Sequence, residues 1–140
     1  MPERRIDSFF YGLFMDVDVL RRGGAAPVDP RRAYVEDFAL RIGARATLVA
    51  LAGARAYGML IALTHAELER LYGAPGLDHY RPEAVLARLM GDDASVPALC
   101  YNLRVEPSSH EANPDYTAQL QRTLRDLGFP AEYINSITPA

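Results

Sequence analysis

The run Ala56–Leu63 constrains the fold more than any other stretch, because it is apolar on both faces of an extended chain. Such a run must be covered on both sides, so it predicts a central strand over Arg55–Leu63. A second apolar run, Arg45–Leu51, precedes it across Ala52-Gly53-Ala54, and a glycine in so short a connection is typical of a β-hairpin. We therefore expect a hairpin here. Gly58 would allow another element to approach closely, although plain core packing is the more frequent reason for such a glycine.

The N-terminal run Ile6–Tyr11 predicts a second buried strand, which breaks at Gly12. Asp16 then opens a short helical turn that we expect to continue through Leu20. A turn of this kind leaves backbone N–H groups unpaired beside a helix start, an arrangement that suits a carboxylate or another anion. A tight turn without any ligand is the alternative.

Three further patterns predict strands, at Tyr34–Ile42, Tyr80–Met90 and Val96–Val105. Pro82 cannot donate to a β-ladder, so it indicates an edge position or a later strand start. An edge strand there would also offer a surface for homo-oligomer contacts, which the sequence does not establish.

Two helices are marked by their caps. Thr64 and Glu67 form a capping box, and Asn113 with Pro114 opens a helix that Gly128 closes. Five or six strands with two marked helices predict an α+β fold in which a mixed β-barrel or an open sheet carries helices on its outside. The residue pattern alone leaves barrel and open sheet as alternatives.

Composition narrows the class of function. The chain has 140 residues, of which 49% are hydrophobic and 24% charged, and this predicts one soluble domain over residues 1–140. A net charge of −3 gives no electrostatic case for binding nucleic acid or an anionic membrane. All 15 basic residues are arginines, which excludes lysine Schiff-base chemistry and a lysine-dependent phosphate loop.

Cysteine and histidine usage points to a chain without a metal or cofactor. Cys100 is the only cysteine, so no intrachain disulfide forms and a reducing, cytoplasmic location is expected. Three scattered histidines give no metal-ligand spacing, and no glycine-rich nucleotide motif is present. The polar N-terminus predicts neither a signal peptide nor a membrane span.

The motif Tyr11-Gly12-Leu13-Phe14-Met15-Asp16 resembles the Tyr-Gly-Thr-Leu-Met-Asp opening of the γ-glutamylcyclotransferase-like (AIG2-like) family. The pair Gly43–Leu48 and Ala56–Leu63 resembles its paired strands, and Gly128–Ile134 resembles its C-terminal tail, so the likeness covers about 120 residues. The resemblance implies a small mixed β-barrel with helices packed outside and a pocket at one end.

The resemblance also implies an activity and a set of site residues. Members of the family cyclise a γ-glutamyl compound by attack of its own α-amine, releasing 5-oxoproline. In the family, backbone N–H groups at the positions of Gly12, Leu13 and Phe14 hold the substrate's α-carboxylate. Tyr11, which precedes them, is implied as a substrate-binding residue as well. Tyr116 would line the pocket or pack in the core, two roles of equal weight. The implied partner is therefore a γ-glutamyl compound or another small carboxylate.

The chain departs from the family at the proton acceptor. The family's glutamate lies in a Leu-Asp-x-x-Glu-Gly pattern, and the best match, Leu68–Gly73, puts Tyr72 at that position. A shifted register puts Pro75 there. A phenol with a pKa of about 10 is a poor general base at neutral pH. We therefore expect a pocket without the usual catalytic glutamate.

Nearby carboxylates could take over the proton transfer. Glu69 lies three residues before Tyr72, and Asp78 and Glu83 flank His79. Each of these is also the kind of residue found on a solvated helix or loop. Two classes of function follow: a cyclotransferase with a relocated base, or a non-catalytic binding or interaction module on the same barrel.

Overall fold

The computed structural model describes residues 3–108 and 110–137. The strands of the described chain are β1 (Arg5–Phe10), β2 (Val28–Ile42), β3 (Ala46–Thr64), β4 (Tyr80–Leu89) and β5 (Ser95–Leu103). The helices are α1 (Val17–Arg22), α2 (His65–Tyr72), α3 (Pro114–Asp126) and α4 (Ala131–Ser136), and Leu13–Met15 forms one 3-10 turn. No helix in these ranges is long and apolar enough to cross a membrane.

The five strands close into a barrel in the order β1-β3-β2-β4-β5. Four of the five contacts are antiparallel, and the barrel closes through a parallel contact between β1 and β5 at Ser8 and Leu99. The predicted α+β class and the mixed barrel are confirmed, and the barrel replaces the open sheet as the arrangement of these strands.

Alternation along the strands creates two separate cores. Phe9 and Leu60 point into the barrel, where they pack with Val35, whereas Phe10 and Ile61 point outward into the layer beneath the helices. The predicted central strand is confirmed, because the second half of β3 pairs with β1 on one side and with β2 on the other.

The predicted hairpin at Ala52-Gly53-Ala54 is wrong. β3 is one strand of 19 residues that runs through Gly53, and it pairs antiparallel with β2 on both sides of residues 51–54, which have no partner in β2. β2 carries an irregularity between Glu36 and Phe38, where Asp37 adopts a φ of 63° and its carboxylate accepts a hydrogen bond of 2.9 Å from the Gly53 N–H. The glycine therefore serves a bulge that bends two long strands, rather than a reversal of the chain.

Both predicted helix starts are confirmed. The Thr64 hydroxyl accepts from the Glu67 N–H, and the Glu67 carboxylate accepts from the Thr64 N–H. The Asn113 side chain accepts from the Tyr116 N–H, with Pro114 at the first helical position. These caps fix where α2 and α3 leave the barrel, and both helices carry residues that reach the site described below.

We predict that Gly58→Ala destabilises the barrel. A Cβ built at Gly58 would lie 2.2 Å from the Phe10 carbonyl oxygen and 2.8 Å from the Phe9 ring. The first contact is with backbone, so β1 would have to move away from β3. We expect a loss of about 1–3 kcal/mol in the free energy of unfolding, the usual range for an overpacked core.

The control for this change is Gly23→Ala. Gly23 has a φ of −81°, and its added Cβ would meet nothing closer than 3.5 Å. Urea unfolding of both variants tests the idea, and equal stability of the two would show that β1 can shift at little cost.

Candidate functional site

The candidate site lies at the end of the barrel where β1 and β5 finish and where β3 and β4 begin. β1 ends with Phe10, and Tyr11 and Gly12 carry the chain across this end into the 3-10 turn. A Cβ on Gly12 would lie 2.5 Å from the Tyr116 hydroxyl oxygen. Glycine is required here because α3 packs its Tyr116 side chain directly against the turn.

The hydrogen bonds within the turn leave some of its backbone N–H groups without an acceptor. The Met15 N–H donates to the Gly12 carbonyl at 3.0 Å, and the Asp16 N–H donates to the Leu13 carbonyl at 3.2 Å. Within residues 3–108 and 110–137, the N–H groups of Gly12 and Phe14 make no hydrogen bond. The Leu13 N–H faces the Tyr116 phenol oxygen and opposes the rise in its pKa that burial causes.

A cavity of about 360 Å³ opens beside this turn, and most of its lining is aromatic. The aromatic residues that line it are Phe9, Phe10, Tyr11, Phe14, Tyr72, Tyr80, Tyr101 and Tyr116. The remainder of the lining is Gly12, Leu13, Val19, Ala44, Arg45, Ala46 and Leu77. All six residues that the sequence singled out for the site, Tyr11, Gly12, Leu13, Phe14, Tyr72 and Tyr116, therefore lie on this one cavity.

Tyr72 is held in the cavity wall by aromatic contacts. Its ring stacks on that of Tyr101 with centroids 3.8 Å apart and planes 8° apart. The ring of Phe14 meets Tyr72 edge-on at 6.0 Å, and the Tyr80 ring lies 5.8 Å away. Neighbours on three sides fix this ring in place.

The phenols of the cavity stay protonated at neutral pH. Burial raises the pKa of Tyr72 and of Tyr11 well above the ordinary value, and it raises that of Tyr80 to about 12. Two of the hydroxyls donate to backbone carbonyls: Tyr11 to Tyr101 at 2.7 Å, and Tyr80 to Ala46. These two hydroxyls can accept a hydrogen bond from a ligand but have no further proton to donate, and the wall supplies no phenolate base.

Among residues 3–108 and 110–137, none of those that line the cavity carries a carboxylate. Glu69 is exposed on α2. Asp78 and His79 are exposed as well and lie 3.8 Å apart. Glu83 accepts a hydrogen bond from the Asn102 side chain on the neighbouring strand. No group of three or more metal-ligating side chains occurs in the described chain.

Sequence reasoning missed two residues near the site. Arg45 lies on the cavity, and its Nε donates to the Gly76 carbonyl at 2.8 Å. Asn102 is buried, and its side-chain oxygen accepts from the Leu48 N–H at 3.1 Å while its amide reaches Glu83. The alternation Ala98, Cys100, Asn102 was a usable signal, because it places a polar residue on the inward face of β5.

Solved structures with the same architecture come from γ-glutamyl cyclotransferase and its relatives. A γ-glutamyl cyclotransferase matches with a TM-score of 0.80 and 19% identity, over 97% of this chain and 89% of that one. An uncharacterised protein from Homo sapiens matches with a TM-score of 0.79 and 20% identity, over 99% and 90%. An AIG2-like protein from Mus musculus matches with a TM-score of 0.57 and 14% identity, over 81% and 91%.

The chain has the γ-glutamylcyclotransferase-like fold. The fold expected from the motif at Tyr11–Asp16 is thus confirmed. The sequence matches no protein-family model and no curated protein. At these identities the likeness concerns the γ-glutamylcyclotransferase-like fold and not the reaction.

We predict that Gly12→Ala destabilises the protein and that Tyr116→Phe rescues it. The added Cβ meets the phenol oxygen at 2.5 Å but the ring carbon behind it only at 3.8 Å, so removing the hydroxyl removes the clash. We expect Gly12→Ala to cost about 1–3 kcal/mol and most of that to return in the double variant. Urea unfolding of the wild type, both single variants and the double variant measures the coupling, and strictly additive effects would contradict the contact.

We also predict that stability falls between pH 10 and 12. The unfolded chain ionises its tyrosines near pH 10. In the folded protein burial raises the pKa of Tyr80 to about 12, and it raises that of Tyr72 well above the ordinary value. The folded state therefore binds more protons over this range and loses stability as the pH rises. The urea concentration at the unfolding midpoint should decrease as the pH is raised from 9 to 11.5. The decrease should be less steep in Tyr80→Phe. A fall of equal slope in that variant would contradict the assignment.

Proposed function

We propose that the aromatic cavity binds a small carboxylate, of which a γ-glutamyl compound is the first candidate, and that the chain lacks the base for efficient cyclisation. The carboxylate would be held by the backbone N–H groups of Gly12, Leu13 and Phe14. Two of these donors, on Gly12 and Phe14, have no partner within the described residues, and all three residues line the cavity. Unpaired donors beside a cavity are the usual form of a backbone anion site.

The observation that carries the proposal is a cavity lined by phenols and by no carboxylate. Cyclisation requires the substrate's ammonium group to lose a proton before its nitrogen attacks the γ-carbonyl. Tyr72, which matches the family's glutamate position, cannot accept that proton at neutral pH because burial raises its pKa. The cavity could still bind and orient the ligand, which preserves only the part of catalysis that comes from proximity.

A second candidate is an active cyclotransferase that uses Glu83 as a relocated base. Glu83 accepts a hydrogen bond from the buried Asn102. Burial raises the pKa of Cys100 to about 12, and the Glu83 carboxylate adds to that rise. Glu83 is exposed like Glu69 and Asp78, but its carboxylate contacts a buried side chain. Against this candidate, Glu83 does not line the cavity.

We predict little or no release of 5-oxoproline by the unmodified protein from γ-glutamyl amines or γ-glutamyl dipeptides. Tyr72→Glu should gain activity, since it places a carboxylate in the cavity wall, where burial would bring its pKa closer to neutrality. A positioned base typically contributes about 10²–10⁴-fold, which sets the scale of the gain. Quantifying 5-oxoproline by chromatography measures it.

The matched control is Tyr72→Gln, which removes the same aromatic ring and adds no base. Activity in both variants would indicate that opening the cavity, rather than adding a base, restores turnover. If the unmodified protein releases 5-oxoproline and Glu83→Gln abolishes this activity, the proposal that the protein lacks a base is wrong. Glu83 would then be the relocated base. Calorimetric titration with the same compounds tests binding separately, and no binding to any of them would contradict the proposed site.

A further inference from the structure

A second cavity, of about 510 Å³, adjoins the aromatic cavity, and the two share Ala44 and Arg45 in their linings. Arg81 and Arg104 also line this second cavity, which we call the arginine cleft. Arg45 borders both cavities: its side chain contacts the loop over the aromatic cavity, and its charge opposes the rise that burial causes in the pKa of Tyr80 in the wall. A ligand that leaves the aromatic cavity on this side therefore meets three positive charges.

Arg45, Arg81 and Arg104 form no ion pair with any residue that the structure describes. Across residues 3–108 and 110–137, no carboxylate lies within 4.0 Å of Arg45, Arg81 or Arg104. Arg45 donates to the Gly76 carbonyl, and Arg81 donates to the carbonyls of Asp78 and Tyr80. Carbonyl acceptors position a guanidinium group without cancelling its charge.

The two glutamates of the cleft are engaged elsewhere. Glu106 pairs with Arg41 at 3.5 Å. The Glu111 carboxylate accepts from the Ser108 N–H at 2.8 Å and from the Ala44 N–H at 3.3 Å. Because Arg41 offsets Glu106, only Glu111 stands against the three arginines, and the cleft keeps an excess of positive charge that suits an anion such as a carboxylate.

We propose that the arginine cleft is a second anion subsite for the ligand of the aromatic cavity, and that it receives a terminal carboxylate. This inference rests on the proposed function and narrows it. The ligand would carry one carboxylate at the turn of Gly12, an uncharged middle part against the tyrosines, and a second carboxylate on Arg45, Arg81 and Arg104. γ-Glutamyl dipeptides have this form, whereas γ-glutamyl amines and dipeptide amides lack the second charge.

The test compares γ-glutamylglycine with γ-glutamylglycinamide by calorimetric titration. We expect the dipeptide to bind roughly three- to tenfold more tightly, the range for a charge-assisted contact that is partly screened by solvent. Its advantage should shrink between 20 and 300 mM NaCl, because screening weakens the added charge contact and leaves the contacts common to both compounds.

Arg104→Gln should reduce the preference for the dipeptide while leaving the affinity for the amide unchanged. Arg104 is exposed and lines only the arginine cleft, so the aromatic cavity should be unaffected. Arg122→Gln, an exposed arginine of α3 that lines neither cavity, is the matched control.

The outcomes separate the two proposals. Equal affinity for the two compounds, or an unchanged preference in Arg104→Gln, would overturn the arginine subsite and leave the aromatic binding site standing. Failure of both compounds to bind would overturn the proposed function and this inference with it.

Discussion

The approach of β1 to β3 at Gly58 is the contact on which the rest of the molecule depends. The Phe10 carbonyl lies where any side chain at Gly58 would have to begin. β1 closes the barrel through β5 at Ser8, fills the interior with Phe9, and delivers Gly12 to the rim. A displaced β1 would disturb the closure, the inner core and the candidate site together.

The site itself is an uncharged space bordered by charge. Its phenols are held neutral by burial, and two of them have their protons engaged by backbone carbonyls. The potential partners for a ligand's charge are backbone N–H groups on one side and Arg45 on the other. This arrangement suits an elongated ligand with a charge at each end. Its uncharged middle can contact the aromatic wall without the free-energy cost of burying a charge.

The sequence predicted correctly those features that depend on contacts between residues close together in the chain. The caps at Thr64 and Asn113 were readable because each is a contact between residues three apart. Gly53 was misread because a glycine with a positive φ suits a hairpin and a bulge equally well. What decides between them is the pairing of β3 with β2 on both sides of Gly53, together with the contact from Asp37, sixteen residues away.

Site residues, too, could be predicted only where nearby residues in the sequence carried the signal. The motif around Gly12 carried its own signal, and Tyr72 was found by alignment to a pattern. Arg45 and Asn102 had no sequence signal of comparable strength. Their place near the site depends on strands that only the closed barrel brings together. A lone arginine before a strand is indistinguishable in sequence from the other fourteen.

The bond from Arg45 to the Gly76 carbonyl has a consequence for binding kinetics and entropy. A free arginine side chain loses up to about 2 kcal/mol of rotamer freedom when it is fixed, and a ligand that recruits it must offset that loss. Here the side chain is already ordered by a bond that uses its Nε alone. Arg45 lines both cavities, so an anion arriving there would meet a preorganised side chain rather than one that it must first immobilise.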